Sequence, residues 1–296
     1  MASVLLVHPF FLADAPEERE LSSPYFPLGL LYLAAYLRER GHRVSVFDGT
    51  FQPGPAAFAE ALTNEAPDVV GVSAVSTTRD QALGLAAMAA ATDAVVLLGG
   101  PDPTLAPEFY LADASVDLVV HHEGEQTTAA VLDRFDAGEL TIESLADEPG
   151  IAFRRDGQPI INQPRPPIEN LDELPLPARD LIDMDRYLKD WQDNHGYSSI
   201  TVATSRGCPF GCAWCRDSVH GDGFRQRSPE SVAAEVKALS ERYDVERLRL
   251  IDDVDGIKRD WFDQWADASP SDAVPFEPLH VSAREDLPLL DVRDSL

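Results

Sequence analysis

The sequence predicts an α/β protein, with a doubly wound parallel sheet in its N-terminal part and a second, partial set of βα units after it. Short apolar runs alternate along the chain with segments in which apolar residues recur at helical spacing. The runs are apolar at consecutive positions, which indicates strands covered by helices on both faces. A length of 296 residues suggests about two domains.

Each element of the first part is predicted from local signals. The predicted strands cover residues 4–7, 44–47, 69–73, 95–98 and 117–120, and the predicted helices cover 28–40, 56–62 and 79–91. The helix from Leu28 has basic residues in its last turn and a glycine beyond it, as helix C-termini often do. Asp156 and Gly157 predict a β-hairpin between strands at 151–154 and 160–162, because this dipeptide favours a two-residue turn.

A proline-rich segment separates the two parts of the chain. Prolines stand at 164, 166, 167, 175 and 177, and they predict a stiff, extended connector. The sequence therefore divides into a domain at 1–145, a hairpin and linker at 146–195, and a second domain at 196–296. In the second domain we expect strands at 200–204, 248–251 and 279–282, and helices from 229 and at 261–266.

The chain is strongly acidic, with a formal net charge of -27 at pH 7 and lysine only at positions 189, 237 and 258. This charge argues against a nucleic-acid surface, which needs clustered basic residues. It would suit a halophilic-like cytoplasm of high salt, where the self-repulsion of acidic groups is screened. The sequence lacks a long apolar run and an N-terminal signal peptide, so we expect a cytoplasmic protein without a membrane span.

Small and polar residues follow three of the predicted strands. Ser73 ends the third strand, Gly99 and Gly100 follow the fourth, and Glu123 and Gly124 follow the fifth. Ligands of doubly wound sheets bind at the carboxyl ends of the strands, and glycine lets a ligand approach the backbone. No G-x-G-x-x-G motif follows the first strand, so the sequence does not support a dinucleotide site.

All three cysteines lie within eight positions, at Cys208, Cys212 and Cys215. Their spacing lets one loop turn three sulfur atoms toward a single point. An iron–sulfur cluster usually takes four thiolates, so three would leave one iron open to a ligand that the protein binds and transforms. The alternative is a structural zinc ion held by the three cysteines and His220, although structural zinc favours paired cysteines set well apart.

The cysteine loop resembles the signature of radical S-adenosylmethionine (SAM) enzymes. It reads Cys208-x-x-x-Cys212-x-Trp214-Cys215, with an aromatic residue before the third cysteine and a predicted strand before the loop. Four other segments are similar to the cobalamin-dependent radical SAM family, which includes anaerobic magnesium-protoporphyrin monomethyl ester cyclases and class B methyltransferases. They are PLGLLYLAAYL at 27–37, GGPDPT at 99–104, EGE at 123–125 and LPLPAR at 174–179, so the resemblance covers essentially the whole chain.

By this resemblance, residues 1–145 would form a Rossmann-like cobalamin-binding domain. The residues that would line the cobalamin are Ser73, Gly99, Gly100, Glu123 and Gly124. Other cobalamin proteins supply a histidine to the cobalt from a D-x-H-x-x-G motif, but Thr50 stands where that histidine would be. We therefore do not expect a histidine ligand on the cobalt.

The resemblance also implies roles in the second domain. The three cysteines would bind three irons of a [4Fe-4S] cluster, and S-adenosylmethionine would chelate the fourth. Trp214 would pack beside the adenine, and Asp252 and Asp253 would contact the amino group of SAM. Two adjacent aspartates at a strand end are also an ordinary helix cap, which is the alternative for this pair.

The activity that the resemblance implies is that of a cobalamin-dependent radical SAM enzyme. The reduced cluster would cleave SAM to a 5′-deoxyadenosyl radical, for methyl transfer or cyclisation on a small molecule. An electron donor such as a ferredoxin or flavodoxin would reduce the cluster. The cofactors would supply the chemistry while the protein orients them.

The length after the cysteines limits this expectation. The family's radical SAM domain is a (βα)6 barrel, whereas 88 residues lie between Cys208 and the end of the sequence at residue 296. Residues 196–296 would then form the N-terminal half of the barrel, completed by a longer protein or by a second chain. Two other interpretations stay open: a cobalamin-binding module with an inactive radical SAM half, and a structural zinc protein.

Overall fold

Two compact units make up the part of the chain that the structure describes. The structure is a computed structural model, and it describes residues 1–21, 24–210, 212, 219–221, 223–254 and 257–269. The first unit consists of Met1–Leu21, Pro27–Pro167 and Pro177–Ile182. The second unit holds residues 24–26, Ile168–Leu176 and the described residues from Asp183 onward.

The first unit is built on a sheet of seven strands. They are β1 (Ser3–His8), β2 (Arg43–Asp48), β3 (Val69–Ser73), β4 (Val95–Gly99), β5 (Leu118–Val120), β6 (Ile151–Arg155) and β7 (Gln158–Ile161). Their order across the sheet is β2-β1-β3-β4-β5-β6-β7. Strands β1 to β5 run parallel, and β6 and β7 continue the sheet as an antiparallel hairpin.

Helices cover both faces of this sheet. The helices of this unit are α1 (Pro16–Leu21), α2 (Leu28–Glu39), α3 (Ala56–Glu65), α4 (Arg79–Ala90), α5 (Pro101–Leu105), α6 (Pro107–Leu111), α7 (Gly124–Ala137) and α8 (Ile142–Leu145). On one face, α3, α4 and α6 pack on the strands around a core that includes Phe58, Leu85 and Tyr110. On the other face, α2 and α7 contact each other and the sheet. The predicted α/β fold with a doubly wound, largely parallel sheet is confirmed.

The hairpin of β6 and β7 belongs to the sheet of the first unit. The sequence had grouped it with the linker at 146–195. Asp156 and Gly157 form its turn with φ angles of 52° and 75°, the left-handed pair that this type of turn requires. Because β6 pairs with β5, it covers an edge of the parallel sheet that unpaired backbone groups would otherwise expose.

Helix α7 has no counterpart among the sequence-based predictions. Its buried residues are Glu125, Thr127, Thr128, Ala129, Val131 and Leu132. Half of this face is polar, so it lacks the apolar spacing on which helix prediction depends. Its end did leave a signal in the sequence, because Gly138 follows the helix in the left-handed conformation, with φ 69°.

The second unit contains a parallel strand pair and a small hairpin. Its elements are α9 (Met184–His195), β8 (Ser199–Val202), β9 (Ser205–Arg206), β10 (Arg225–Gln226), α10 (Pro229–Arg242), β11 (Arg247–Leu250) and α11 (Arg259–Ala268). β8 and β11 pair in parallel with α10 between them in the chain, whereas β9 and β10 pair antiparallel. Ser228 caps α10 and Pro229 begins it, as the sequence predicted. The strand expected at 279–282 lies outside the described residues.

Helix α9 lies in the segment that the sequence grouped with the linker. Its buried residues Met184, Tyr187, Leu188 and Trp191 recur at spacings of three and four, the pattern of an amphipathic helix. Asp183 caps it by accepting a hydrogen bond from the next turn. The pattern was therefore legible in the sequence, but the prolines before it favoured an extended interpretation.

The described helices are unlike membrane spans. The longest of them, α7 and α10, have 14 residues each. No helix in the described part of the chain combines the length and the apolar character that crossing a bilayer requires.

Candidate functional site

The carboxyl edge of the parallel sheet gathers the residues predicted to contact cobalamin. Ser73, at the end of β3, pairs in register with Gly99 at the end of β4. A Cβ atom on Gly99 would lie 3.4 Å from the carbonyl oxygen of Val120, the last residue of β5. Glu123 and Gly124 follow β5 at the start of α7. This edge is where ligands of sheets with this strand order bind.

Two glycines at this edge, Gly100 and Gly124, differ in whether the fold itself requires glycine at their position. Gly100 has φ 104°, and a Cβ atom on it would lie 2.8 Å from the carbonyl oxygen of Ala74. The backbone alone therefore requires glycine there. At Gly124, by contrast, the nearest atoms to an added Cβ, on Thr128 and Val120, are 3.9 Å away. A methyl group at Gly124, the first residue of α7, would therefore make only ordinary van der Waals contacts, and the fold itself does not require glycine there.

Thr104, which sequence reasoning did not single out, connects two loops of this edge. Its hydroxyl group donates a hydrogen bond to the carbonyl oxygen of Gly100 at 2.8 Å. The same hydroxyl accepts one from the backbone N–H of His122 at 3.0 Å. Thr104 thereby ties the loop after β4 to the loop after β5. Its place in the GGPDPT segment was the only signal in the sequence.

Asp102, from the same segment, joins the loop after β4 to the start of α4. It accepts two hydrogen bonds from the guanidinium group of Arg79, at 2.7 and 2.8 Å, and one from the hydroxyl group of Tyr110. Burial raises the pKa of Tyr110 and the bond to Asp102 raises it further, so the phenol stays protonated and donates. These contacts stabilise the loop that carries Gly100.

A histidine also lies at this edge. His8 ends β1 and pairs in register with Asp48 at the end of β2. Burial lowers the pKa of the His8 imidazole, and the neighbouring Asp48 carboxylate opposes that shift. The turn after β2 is tight, because a Cβ on Gly49 would lie 2.8 Å from the carbonyl oxygens of His8 and Phe10. The sequence-based expectation that no histidine binds the cobalt did not consider His8, and it stays a prediction.

The cysteine segment lies in the second unit. β9 and β10 pair antiparallel, and they thereby bring together the two ends of the segment 207–224, which carries the cysteines. Cys208 and Cys212 are half-buried. Trp214 and Cys215 lie outside the described residues, so the convergence of three thiols stays a prediction.

Gly207 fixes the point from which this loop departs. It stands directly before Cys208 and has a left-handed backbone, with φ 82°. A Cβ atom on Gly207 would overlap the carbonyl oxygen of Gly223, which lies at the other end of the loop. The two ends of the loop therefore meet in a backbone contact that only glycine permits.

Two arginines hold the loop from the side of β10. Arg225 donates to the carbonyl oxygen of His220 at 3.0 Å. Arg227 donates from its backbone N–H to the carbonyl oxygen of Thr204 at 2.9 Å. The guanidinium group of Arg227 also forms a buried ion pair with Glu235 on α10. Both arginines therefore contribute to the fold around the cysteines.

The aspartates predicted to bind SAM follow β11 and approach the same segment. Asp252 is buried and accepts hydrogen bonds from Thr204 and Ser205, just before β9 and at its start. Burial raises the pKa of Asp252, and these hydrogen bonds oppose the shift. Asp253 accepts a hydrogen bond from Gly207. Both carboxylates thus contact the chain that leads to the first cysteine.

Two features define the class of protein. The first is a doubly wound sheet whose carboxyl edge is suited to binding a ligand, and the second is a βα unit whose first strand leads toward the cysteine segment. Residues 19–132 match the family model described as B12 binding domain. The chain is 34% identical over 232 residues to an uncharacterised methyltransferase of Pyrococcus horikoshii, a match that covers 77% of this chain and 48% of the relative. Residues 19–132 therefore belong to the B12 binding domain family, and most of the chain is similar to a protein named as a methyltransferase.

A second relative is an anaerobic magnesium-protoporphyrin IX monomethyl ester cyclase of Rubrivivax gelatinosus. It is 27% identical over 266 residues, and the match covers 88% of this chain and 46% of the cyclase. The chain thus spans about half the length of the curated relatives it matches.

Solved structures share the fold. The cobalamin-dependent SAM radical enzyme OxsB, with aqua-cobalamin and SAM bound, matches 93% of this chain and 38% of its own, with a TM-score of 0.75 and 19% identity. The radical SAM methyltransferase TsrM from Kitasatospora setae, with cobalamin and a [4Fe-4S] cluster bound, matches 86% of this chain and 48% of its own, with a TM-score of 0.64 and 19% identity. At these identities the likeness establishes the fold.

Proposed function

We propose that this chain is the cobalamin-binding and SAM-cleaving part of a radical SAM methyltransferase or cyclase that acts on a small molecule. The observation that carries the proposal is the cysteine motif, which lies between the paired strands β9 and β10 in the sequence. Relatives named as a methyltransferase and a cyclase support the reaction class. In this proposal residues 1–145 bind cobalamin, 146–195 are a hairpin and linker, and 196–296 begin the barrel.

The cysteines hold the cluster in this proposal. Cys208, Cys212 and Cys215 bind three irons of a [4Fe-4S] cluster, SAM takes the fourth, and Trp214 packs beside the adenine. When bound, the cluster and SAM supply a 5′-deoxyadenosyl radical that removes an unactivated hydrogen atom. The chain itself holds the thiolates in place, because Gly207 and the β9–β10 pair fix the base of their loop.

Cobalamin is assigned to the edge of the sheet in the first unit. The fold does not require glycine at position 124, so we assign Gly124 to close approach of the ligand, whose polar groups would accept from the backbone N–H groups in the first turn of α7. Ser73 and Gly99, at the ends of β3 and β4, and Glu123, at the N-cap of α7, would also contact the cobalamin. Thr104 keeps the loops after β4 and β5 together.

The proposal also includes partners and a location. An electron donor such as a ferredoxin or flavodoxin reduces the cluster. A cluster held by thiolates favours a reducing compartment, and we assign the protein to the cytoplasm. The net charge of -27 disfavours a nucleic-acid substrate and fits a cytoplasm of high salt.

Anaerobic reconstitution with iron and sulfide tests the cysteine assignment. We expect the full chain to gain a broad visible absorption, and we expect Cys212→Ala to lose it because one thiolate ligand is removed. Ser240→Ala, in the last turn of α10, serves as the control and should retain the absorption. Binding of zinc with no iron–sulfur absorption would support the structural zinc alternative instead.

Turnover is tested on the reconstituted chain. Under reduction with dithionite, we expect SAM to be cleaved to 5′-deoxyadenosine, measured by chromatography. A chain that carries a full cluster and never yields 5′-deoxyadenosine would contradict the enzyme proposal and favour an inactive radical SAM half.

The variant Gly124→Ala tests the cobalamin site. The fold has room for this methyl group, so we expect an unchanged melting curve by circular dichroism. A bound ligand would meet the methyl group, and we expect the affinity for aquacobalamin to fall about tenfold, as for a moderately overpacked contact. Gly84→Ala, which adds a methyl group to open space on α4, is the matched control. Equal cobalamin affinity in both variants would place the ligand elsewhere.

A further inference from the structure

We infer that Asp252 and Asp253 are positioning residues for the cysteine segment, and that they do not act as ligands of the SAM amino group. The inference rests on the proposed role of the cysteines as cluster ligands. The two carboxylates accept hydrogen bonds from the backbone before Cys208, and these bonds fix the position of Cys208.

The register of the parallel strands brings the aspartates to this position. Leu250, the last residue of β11, pairs with Val202, the last residue of β8. The residues that follow the two strands therefore leave the sheet side by side. Asp252 and Asp253 stand two and three positions after β11, and the segment toward the cysteines stands beside them.

Asp252 holds the turn between β8 and β9. One carboxylate oxygen accepts the backbone N–H groups of Thr204 and Ser205, at 2.7 and 2.9 Å. The other accepts the hydroxyl group of Thr204. Thr204 is fully buried and Asp252 nearly so. Both oxygens of this carboxylate are thus engaged with the protein itself.

Asp253 holds the next stretch of the same segment. Its Oδ2 atom accepts the backbone N–H of Gly207 at 3.0 Å. Gly207 is the residue whose left-handed backbone starts the cysteine loop. The two consecutive carboxylates therefore bind the backbone on both sides of β9, and the hydrogen bond of Asp253 is made to the residue directly before Cys208.

The helix-cap alternative does not fit the structure. α11 begins only at Arg259, and its N-cap residue is Lys258. The aspartates lie several residues earlier and make their contacts with the β8–β9 segment. The two aspartates therefore stabilise the segment around β9 and do not cap the following helix.

The experiment compares Asp253→Ala, Asp253→Asn and Asp263→Ala with the wild type, all as full chains reconstituted with iron and sulfide. Asp253 is exposed, so the variants are expected to fold, and urea unfolding followed by tryptophan fluorescence checks this. Asp263, exposed on α11, controls for the lost charge. Two quantities are measured: the rate at which a chelator removes iron, and the electron paramagnetic resonance spectrum of the reduced cluster with and without SAM.

We expect iron loss about fivefold faster in Asp253→Ala, the factor for one lost hydrogen bond of ordinary strength. Its cluster spectrum should differ from wild type already without SAM. Asp253→Asn should resemble the wild type, because the amide oxygen still accepts the Gly207 N–H. Asp263→Ala should show no change.

Other outcomes overturn the inference. Wild-type iron retention in both Asp253 variants, with loss of the spectral response to SAM, would make Asp253 a SAM ligand. Equal lability of the alanine and asparagine variants would exclude a role based on acceptor geometry. If the wild type itself takes up no cluster, the proposed function fails, and this inference fails with it.

Discussion

Replacement of Gly207 by alanine is expected to lower the free energy of unfolding of the second unit by about 3 kcal/mol. The left-handed backbone at this position strains any residue with a Cβ atom, at about 1 to 3 kcal/mol. The added carbon would also overlap the backbone of Gly223, and overpacking of this kind costs about 1 to 3 kcal/mol. Tryptophan occurs only after Asp183, so urea unfolding followed by its fluorescence reports on the second unit.

Gly196→Ala separates the two causes. Gly196 follows α9 with φ 77°, close to the angle of Gly207, but a Cβ on it would meet no atom of the described chain within 4 Å. We expect this control to cost about 1 kcal/mol, the backbone strain alone. Equal losses in the two variants would show that the Gly223 backbone moves aside, and that the closed base of the cysteine loop is not rigid.

Replacement of Glu235 by alanine is expected to cost about 3 to 5 kcal/mol, the usual range when one partner of a buried ion pair is removed. The side chains of Arg227 and Glu235 are 6% and 1% exposed. Without the carboxylate, the buried guanidinium group of Arg227 would lose its ion pair with α10. Arg227 also donates a hydrogen bond to the carbonyl oxygen of Ala203, which directly follows β8. Loss of the ion pair should therefore also destabilise the segment that leads to the cysteines.

Glu241→Ala is the matched control for this prediction. Glu241 lies on the same helix and pairs with Lys237 at 3.8 Å on the surface. Exposed pairs of this kind contribute about 0.5 kcal/mol or less. Urea unfolding measures both variants. If Glu235→Ala costs no more than the control, backbone carbonyl groups alone satisfy the charge of Arg227.

The regular elements were the most predictable part of the structure. The strands from β1 to β5 and helices α2 to α4 follow from apolar runs and helical spacing, because these signals are local. α7 escaped prediction because Thr127 and Thr128 occupy its buried face. The hairpin turn at Asp156 and Gly157 was legible, but its attachment to β5 was not, because pairing between distant strands leaves no local mark.

The sequence by itself determined the α/β class, the candidate cysteine motif and the glycines at the strand ends. These features depend on residue type and spacing within a few positions. Only the tertiary structure distinguished Gly100, where the backbone requires glycine, from Gly124, where the fold would accept a methyl group. Only the tertiary structure connected Asp252 with Thr204, 48 residues apart. Such partners are set by the register of paired strands and by buried hydrogen bonds. Both connect residues that are close in space but distant in sequence, so local sequence patterns do not reveal them.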